Sequence, residues 1–383
     1  MKTQYVPSRH ITVESNNDDF TILMNRINNK RVKIENQIYN YFFKDRDNKS
    51  NLKLCELERD SKIYSLVLTL IENSFLVDDS KDEYFEFLQK QTTESVKPSF
   101  MQCPKFNDSK SYDYVFIGIP YSSNRKVGVG PHSAPKAIRN RSSQIDVSDS
   151  RGTFDNARGV ELFKKNKLAD IGNVVIHPGE SQEQVFNRIT KSIDRIRNAG
   201  ATPVIIGGDH SISYPSIRSF SAIKPYLIHF DAHSDLGDYV PYSGLHHGNF
   251  LSRVMQENLI SGISSIGVRG ITNSKPFKHC IGPDVAIEKI IDILSKEIKP
   301  QQPVYMTVDM DSICSSQFPF VLYPESLGLS LKKLTILAKS IAKDFNIVGF
   351  DIVEYVDTND FNGVGSNMVF NLLVDILGAN SDV

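Results

Sequence analysis

Acidic and imidazole side chains recur at short intervals in one apolar segment of the chain, LIHFDAHSDLGD. Asp231, His233 and Asp235 stand there at every second position. Residues i, i+2 and i+4 share one face of a β-strand, so we expect the three side chains to converge if the strand continues through them. Two further segments, IIGGDHS and TVDMDS, contribute candidate ligands of the same kind, namely His210, Asp309 and Asp311.

These six side chains have the composition of a site for two divalent metal ions. Imidazole and carboxylate ligands without thiolate favour manganese over zinc, and the charges of the four carboxylates balance two divalent cations. A buried group of four carboxylates without cations would repel itself strongly, whereas any one of these acids alone would be interpreted as a cap or turn residue. As a set they predict two Mn²⁺ ions, which can hold a bridging water and lower its pKa toward neutrality.

The elements that must position these side chains are predicted to be buried strands alternating with helices. Such a pattern indicates an α/β fold with a doubly wound, mostly parallel sheet covered by helices on both faces. We predict a long helix from residue 181 that Gly200 closes, and a helix with Ser133 as its N-cap. The polar residues follow the apolar runs, where ligands bind in such folds. The predicted strands lie in YDYVFIGIP, KNKLADIGNVV, TPVIIGGDHSI, KPYLIHFDAHSDL, ISSIGVRG, QPVYMTVDMDSI and FNIVGFDIVEY.

The overall composition excludes several classes of partner. The chain has 383 residues and a formal net charge of -1, which argues against bulk electrostatic binding to nucleic acid or to an anionic membrane. Its first residues contain no apolar core of signal-peptide length, and no run of about 18 apolar residues could span a membrane. The four cysteines are widely spaced without a C-x-x-C pair, so we expect reduced thiols in a cytoplasmic protein.

A change of composition predicts a domain boundary near residue 105. All 22 glycines lie at or after Gly118. We therefore expect an N-terminal domain over residues 1–105 and a catalytic domain over residues 106–383. In the first, SKIYSLVLTLIEN predicts a helix with one apolar face that includes Ile63, and SFLVDD predicts a short strand. This succession is typical of a winged-helix-like α+β domain.

The N-terminal domain has as many basic as acidic residues, unlike the basic surface of a DNA reader. It resembles the small recognition domains that hold leader peptides in ribosomal-peptide modification systems. A structural or oligomerisation role is the alternative.

The three acidic motifs carry a family resemblance. GGDHS, DAHSD and DMD, in this order, resemble the metal signatures of the ureohydrolase superfamily, which contains arginase, agmatinase and formimidoylglutamase. The similarity runs from about residue 112 to the end and includes GIPYSSNRKVGVGPHSAPKAIR, which resembles the family's opening motif. The family fold implied is one doubly wound parallel sheet. The resemblance also gives each ligand a role: one manganese on His210 and the other on His233, bridges from Asp231 and Asp309, and one further ligand per ion from Asp235 and Asp311.

Two positions outside the ligand set also match the family. LHHGNF resembles its His-Gly loop, so His247 corresponds to the proton-shuttling histidine, while the neighbouring His246 is expected to be close to the site or simply exposed. GFDIVEYVDTND resembles the segment that carries the guanidinium-binding acid, here Glu354. A guanidinium keeps its charge and presents a rigid fork of donors, so a buried carboxylate suits it.

The resemblance implies a hydrolytic reaction on a guanidinium group. Catalysis is assigned to His247, Glu354 and Asp235, the last serving also as a metal ligand. Metal-activated water would attack the guanidinium carbon, and the leaving amine would gain a proton from an acid such as His247. Urea and a primary amine would result.

One segment departs from the family pattern. The family commonly has Asp-Pro after its Asp-x-Asp, with another Pro further on. This chain has DMDSICSSQFP, with Cys314 and Ser315 at the Asp-Pro positions and only Pro319 retained. Neither position binds metal in the family, so we expect metal binding to survive and the substrate loop to be reshaped. We expect Cys314 to be a buried filler rather than a nucleophile.

The motifs leave the substrate open. Arginases for the free amino acid carry acids after the IGxR strand that hold the α-amino group, whereas this chain has Gly270 and Thr272 there. A buried ammonium without a carboxylate partner is costly, so we expect an arginine within a peptide, as in peptide arginases that form ornithine. Agmatinase or formimidoylglutamase activity on a small free substrate is the alternative.

Two other classes stay open at this point. One is a metal-binding homologue without turnover, which the presence of His247 and Glu354 disfavours. The other is an amide hydrolase of the deacetylase type, which would hold a single zinc. As partners we expect an arginine-containing precursor peptide or a small guanidino compound, with no nucleic acid and no membrane. The family resemblance further implies a homo-oligomer, usually a trimer or hexamer.

Overall fold

A computed structural model divides the chain into two compact units, Met1–Gln91 and Thr92–Val383. The predicted boundary was residue 105. Residues 92–105 lie with the second unit, because Thr93–Glu94 pairs with its sheet and Phe100 is buried in its core. The structure describes residues 5–8, 10–26, 30–44, 62–73, 75–78, 92–123, 130–147, 153–156, 159–163, 167–177, 179–237, 244–270, 279–358 and 360–380.

The first unit combines antiparallel strands with helices. Its strands are Tyr5–Pro7 (β1), Ile11–Asn16 (β2), Phe20–Asn25 (β3), Lys30–Glu35 (β4) and Leu76–Asp78 (β5). Strands β2, β3 and β4 form one sheet in that order, and β1 pairs with β5. The helices are Asn36–Phe42 (α1) and Lys62–Glu72 (α2).

Helix α2 packs through one apolar face, as its sequence predicts. Val67 and Leu70 are buried with Leu23 and Ile34 of the sheet. Ile63, assigned to the same face, is instead 52% exposed in the first turn of the helix. The strand predicted after the helix is β5, and the winged-helix likeness of the unit stays a prediction.

The second unit is built on a mixed sheet. Its described strands follow the order β14-β13-β12-β15-β16-β11-β7-β10-β6, and all neighbours are parallel except β10 and β6. A separate hairpin joins β8 and β9. The strands are Thr93–Glu94 (β6), Tyr114–Gly118 (β7), Thr153–Asp155 (β8), Val160–Leu162 (β9), Leu168–Val174 (β10), Thr202–Ile206 (β11), Tyr226–Phe230 (β12), Gly262–Ile266 (β13), Cys280–Ile281 (β14), Pro303–Asp309 (β15) and Asn346–Val353 (β16).

Helices cover both faces of this sheet, which confirms the doubly wound α/β prediction. Successive strand residues alternate between two apolar cores: Val204 and Ile206 belong to one and Ile205 to the other. The first core includes residues of α3, α7, α8 and α9, and the second includes residues of α4, α5 and α6. These helices are Ala134–Ser142 (α3), Gln182–Asn198 (α4), Ser213–Arg218 (α5), Phe250–Gln256 (α6), Ile287–Glu297 (α7), Leu331–Asp344 (α8) and Val364–Leu377 (α9).

Two predicted helix ends can be checked directly. Helix α4 starts with a capping box between Ser181 and Gln184, and Gly200 follows its end with φ +76°, as expected for a closing glycine. Ser133 stands at the N-cap position of α3, but its side chain does not cap the helix. Its hydroxyl donates to the Asp357 carboxylate instead, so the expected capping bond was wrong. Among the described residues, none of the helices has both the length and the apolarity that a bilayer crossing requires.

Candidate active site

The six predicted ligands meet at the carboxyl end of the sheet. Strands β12, β15, β16 and β11 are neighbours in that order, so their ends form one continuous edge. His210 follows β11 in a 3₁₀ turn, Asp309 ends β15, and Asp311 lies in the next 3₁₀ turn. Because ligand-binding residues of parallel sheets lie at this edge, the position agrees with the prediction.

The path of the DAHSD segment differs from the expectation. Strand β12 ends at Phe230, so Asp231, His233 and Asp235 lie in the loop that follows and not on one strand face. The loop turns inward at Asp235, whose φ of +48° is rare for a residue other than glycine. The residues converge through this turn. The predicted convergence is therefore present, but the period-two argument gave a wrong reason for it.

Three carboxylates surround the Nδ1 atom of His210. Oxygens of Asp231, Asp235 and Asp309 lie 3.0, 3.1 and 3.1 Å from that nitrogen. His210 is fully buried, and Nδ1 has no hydrogen bond of acceptable geometry among the described residues. An imidazole lone pair and several carboxylates directed at one region are the arrangement of ligands around a cation.

A second set of ligands forms around His233. Its Nδ1 lies 3.0 Å from the Asp311 carboxylate and 3.4 Å from that of Asp231. Asp231 therefore belongs to both sets, one with His210 and Asp235 and one with His233 and Asp311. This shared carboxylate fits a bridge between two ions.

The electrostatics of the cluster require additional positive charge. Burial and the neighbouring Asp231 raise the pKa of Asp235 to about 6, and burial also raises the pKa values of Asp309 and Asp311. Burial opposes charge on His210, but its three carboxylate neighbours outweigh burial and raise the pKa of the imidazole well above its ordinary value. The residues present thus fit a pair of divalent cations, with carboxylate and imidazole donors that suit manganese.

A buried chain of hydrogen bonds fixes which nitrogen of His210 is free for a metal. The His210 Nε2 atom lies 2.9 Å from the Thr307 hydroxyl, and that hydroxyl donates to the Asp351 carboxylate. Since Thr307 has one hydroxyl hydrogen, it must accept from His210 Nε2–H. In the neutral ring, Nδ1 consequently carries the lone pair, on the side of the carboxylates. Asp351 also accepts from Ser213 and Tyr305, at 2.9 and 2.6 Å.

We expect Asp351→Asn to weaken manganese binding by about 10- to 100-fold, the usual effect of losing a hydrogen-bond partner behind a metal ligand. The amide can turn its NH₂ toward Thr307, which reverses the hydroxyl and frees His210 to adopt the wrong tautomer. Thr307→Val should have the same effect, and Thr307→Ser should bind metal like the wild type. Manganese titration monitored by calorimetry measures all three. Equal affinities in the valine and serine variants would contradict the tautomer argument.

His229 supports the shared carboxylate and was not identified from the sequence. It is buried on β12, with Nε2 3.0 Å from Asp231 and Nδ1 2.8 Å from the Ser265 hydroxyl. A carboxylate can only accept, so Nε2–H donates to Asp231 and Nδ1 accepts from Ser265. The sequence contained a signal for this residue, because the period-two pattern extends backward from Asp231 to His229.

Glu354 lies directly after β16 with its carboxylate in the same cavity. Its φ of +65° places it in the left-handed region, which costs a non-glycine residue about 1–3 kcal/mol. The backbone N–H of His210 donates to its Oε1 at 2.8 Å. Burial and the nearby Asp209 raise the pKa of Glu354 well above its ordinary value. A cationic substrate group would offset the cost of keeping the buried Glu354 carboxylate charged.

Asp209 is a further buried acid that sequence analysis left unassigned. Its carboxylate accepts from the backbone N–H and hydroxyl groups of both Ser123 and Ser211. The adjacent Gly208 approaches Tyr121 so closely that a Cβ atom would lie 1.7 Å from the Tyr121 carbonyl oxygen. The GGDH motif thus needs its glycine to seat the loop that precedes His210.

His247 lines the cavity beside the ligands. It is half-buried, and its ring stacks on Tyr323 with centroids 5.2 Å apart. Burial lowers the pKa of His247, and the Asp209 carboxylate opposes this effect. His246 is partly buried and forms a capping box with Asn249. The cavity has a volume of about 380 Å³ and also includes Glu325.

The remaining predicted positions have mixed outcomes. Cys314 is half-buried rather than buried, because the chain leaves the core after Ile313. A hydrogen bond with Ser316 lowers the pKa of this thiol to about 7. Gly270 lines the cavity, with φ +78°, and Thr272 lies outside the described residues.

The fold and this cluster define a member of the arginase family. The sequence model of that family matches residues 112–378, so the chain belongs to it. The matched residues all lie in the second unit. Membership places the protein among hydrolases that act on amidine groups.

Individual relatives are distant but cover most of their own length. Human mitochondrial guanidino acid hydrolase is 26% identical over 299 residues, which are 73% of this chain and 82% of the relative. Chicken mitochondrial agmatinase is 27% identical over 302 residues, or 74% and 86% of the two chains. The structure of proclavaminate amidino hydrolase from Streptomyces clavuligerus has a TM-score of 0.64 at 25% identity, over 76% of this chain and 98% of that one.

Proposed function

We propose that this protein hydrolyses the guanidinium group of an arginine side chain within a peptide, giving ornithine and urea. The observation that carries the hydrolytic part is that His210 and His233 cluster with their carboxylates next to a cavity that Glu354 and His247 line. The buried Glu354 carboxylate is a natural partner for the rigid donor fork of a guanidinium. Peptidyl arginine has no free α-ammonium group, which suits the wall at Gly270.

The metal ligands proposed are His210, Asp231, Asp235 and Asp309 for one manganese, and His233, Asp231, Asp309 and Asp311 for the other. When bound, such a pair of ions makes water nucleophilic at neutral pH. The protein's own groups provide the rest. Glu354 orients the guanidinium carbon toward the ligands, and Asp235 combines metal binding with a position against the substrate.

His247 is proposed to move the proton. Its lowered pKa keeps the ring neutral near neutral pH, so it can accept a proton released from water and pass it to the leaving nitrogen. The backbone N–H of His210 holds the Glu354 carboxylate in place while this occurs. Urea and the amine then leave through the open side of the cavity.

The first unit is proposed to hold the peptide. Among the described residues, β2 and β4 each pair only with β3, so each presents an edge to which an extended peptide could add as a further strand. The protein is proposed to be cytoplasmic, in keeping with free thiols at Cys103 and Cys314 among the described residues, and to form a homo-oligomer.

Urea release with manganese present tests this proposal. Free arginine, agmatine and arginine-containing peptides with and without an N-terminal leader would be compared, on the whole chain and on a version that begins at Thr92. We expect turnover on the leader-bearing peptide, which the shortened protein loses. Turnover on agmatine that is indifferent to the shortening would replace this proposal with the second candidate.

The second candidate is hydrolysis of a small free guanidino compound. It is favoured by the relatives, which include an agmatinase and a guanidino acid hydrolase of comparable similarity. Under this alternative the first unit is a structural appendage. A non-catalytic role is disfavoured by the presence of both His247 and Glu354 in the cavity.

A further inference from the structure

The outer part of the cavity carries two ionic side chains, Arg269 and Glu325, that the proposed reaction does not use. Both line the cavity together with Tyr323 and Gly270. Glu325 lies near the partly exposed ring of His233, whereas Glu354 is buried beside the backbone of His210. A guanidino substrate held by Glu354 must direct the far end of its chain toward this outer part. The charge available there therefore acts on the substrate's chain end. This inference rests on the proposed binding of a guanidinium.

Arg269 is fully engaged by the protein backbone. Its Nε donates to the Ser326 carbonyl at 2.7 Å, and Nη1 donates to the Gly267 carbonyl at 3.1 Å. Its Nη2 donates to the carbonyls of Asp311 and Glu325, at 2.9 and 3.0 Å. Every nitrogen of the guanidinium is used, so the parallel donor pair that binds a carboxylate is not presented to a substrate.

The same contacts fix the segment that carries Glu325. The backbone N–H of Ser315 also donates to the Glu325 carbonyl at 3.0 Å. Gly328 closes the segment so tightly that a Cβ atom would lie 2.7 Å from Arg269 Nη2 and from the Ser312 carbonyl oxygen. Glu325 thus has a rigid backbone position at the cavity wall.

The Glu325 carboxylate itself remains available. Its side chain is 44% exposed, and Oε1 lies 3.9 Å from His233 Nε2, beyond hydrogen-bond distance. Within the described part of the chain, this carboxylate accepts no hydrogen bond from another residue. Arg269 keeps its positive charge, but carbonyl groups occupy its donors, so Glu325 is the charged group of the two that is free to contact a substrate.

We propose that Glu325 determines substrate class, by selecting guanidino compounds whose far end is cationic or uncharged against those that end in a carboxylate. A carboxylate end would meet the like charge of Glu325 and find no arginine fork to bind it. Agmatine and peptidyl arginine both satisfy this rule, and guanidino acids do not.

The test measures dissociation constants of three guanidines of equal chain length by calorimetry. Agmatine, pentylguanidine and guanidinovalerate end in an ammonium, a methyl and a carboxylate group. On the manganese-loaded full chain we expect affinity to fall in that order, by up to about fivefold per step, as for a half-exposed charge. Glu325→Gln should make the three affinities nearly equal, and Glu325→Lys should reverse the order.

The outcome has clear alternatives. Glu288→Gln, on the exposed first turn of α7, is the matched control and should keep the wild-type order. If Glu325→Gln changes all three affinities by one factor, Glu325 acts through His233 and the proposal is wrong. An unchanged order in both Glu325 variants would also overturn it. The experiment measures binding and not turnover. If the order of affinities holds but no urea is released, only the proposed reaction is rejected. If none of the three guanidines binds, both the proposed reaction and the role of Glu325 are rejected.

Discussion

Replacing Asp231 with alanine will remove manganese and activity together. The Asp231 carboxylate is fully buried and stands between the two ligand sets, 3.0 Å from His210 and 3.4 Å from His233. It belongs to both candidate metal groups of the described residues, and Asp309 is the second proposed bridge. Its loss therefore lowers the affinity for both ions. The loss should exceed the ~100-fold that follows when only a hydrogen-bond partner behind a ligand is removed.

Metal content after gel filtration, together with urea release, measures this effect. We expect two manganese ions per wild-type chain and fewer than one in the variant. Asp344→Ala, an exposed aspartate at the end of α8, is the matched control and should retain both ions. Circular dichroism would verify that the variant is folded. A folded Asp231→Ala protein that still bound two ions would disprove the bridging role.

The fold was predictable because its signals are local. Each buried strand is a short apolar run, and its residues alternate between two apolar cores, as at Val204, Ile205 and Ile206. The Asp and His residues that could bind metal follow these apolar runs directly in sequence. Parallel pairing then brings the strand ends to one edge, so the convergence of the six candidate ligands could be predicted before the structure was known.

Other features depend on contacts between distant segments and had no local signal. Thr307 and Asp351 lie on neighbouring strands, and their link to His210 follows from the register in which Thr307 opposes Asp351. Glu325 reaches the cavity because Arg269, 56 residues earlier, binds the backbone of its segment. Backbone carbonyls carry no sequence identity, so such a contact cannot be read from residue types. The same limit explains why the turn at Asp235 was mistaken for a continuing strand.

Replacing His247 with alanine will keep both manganese ions and lower the rate by about a hundred- to ten-thousandfold, the usual contribution of a positioned acid or base. The residue lines the cavity but does not belong to either candidate metal group of the described residues. Burial lowers the pKa of its imidazole, so the neutral ring can take a proton and return it. Alanine removes that path without removing a ligand.

The neighbouring histidine provides a control of the same residue type. His246 accepts from the backbone of Asn249 and caps the turn that follows, so His246→Asn should preserve the cap, since asparagine is a good N-cap residue. We expect its rate to stay close to that of the wild type. Added imidazole should partly restore His247→Ala, because a free ring can carry the proton into the enlarged cavity. A His247→Ala protein with the wild-type rate would assign proton transfer to another group. Glu354 is buried beside Asp209, so the next candidate would be Asp235, whose pKa burial raises to about 6.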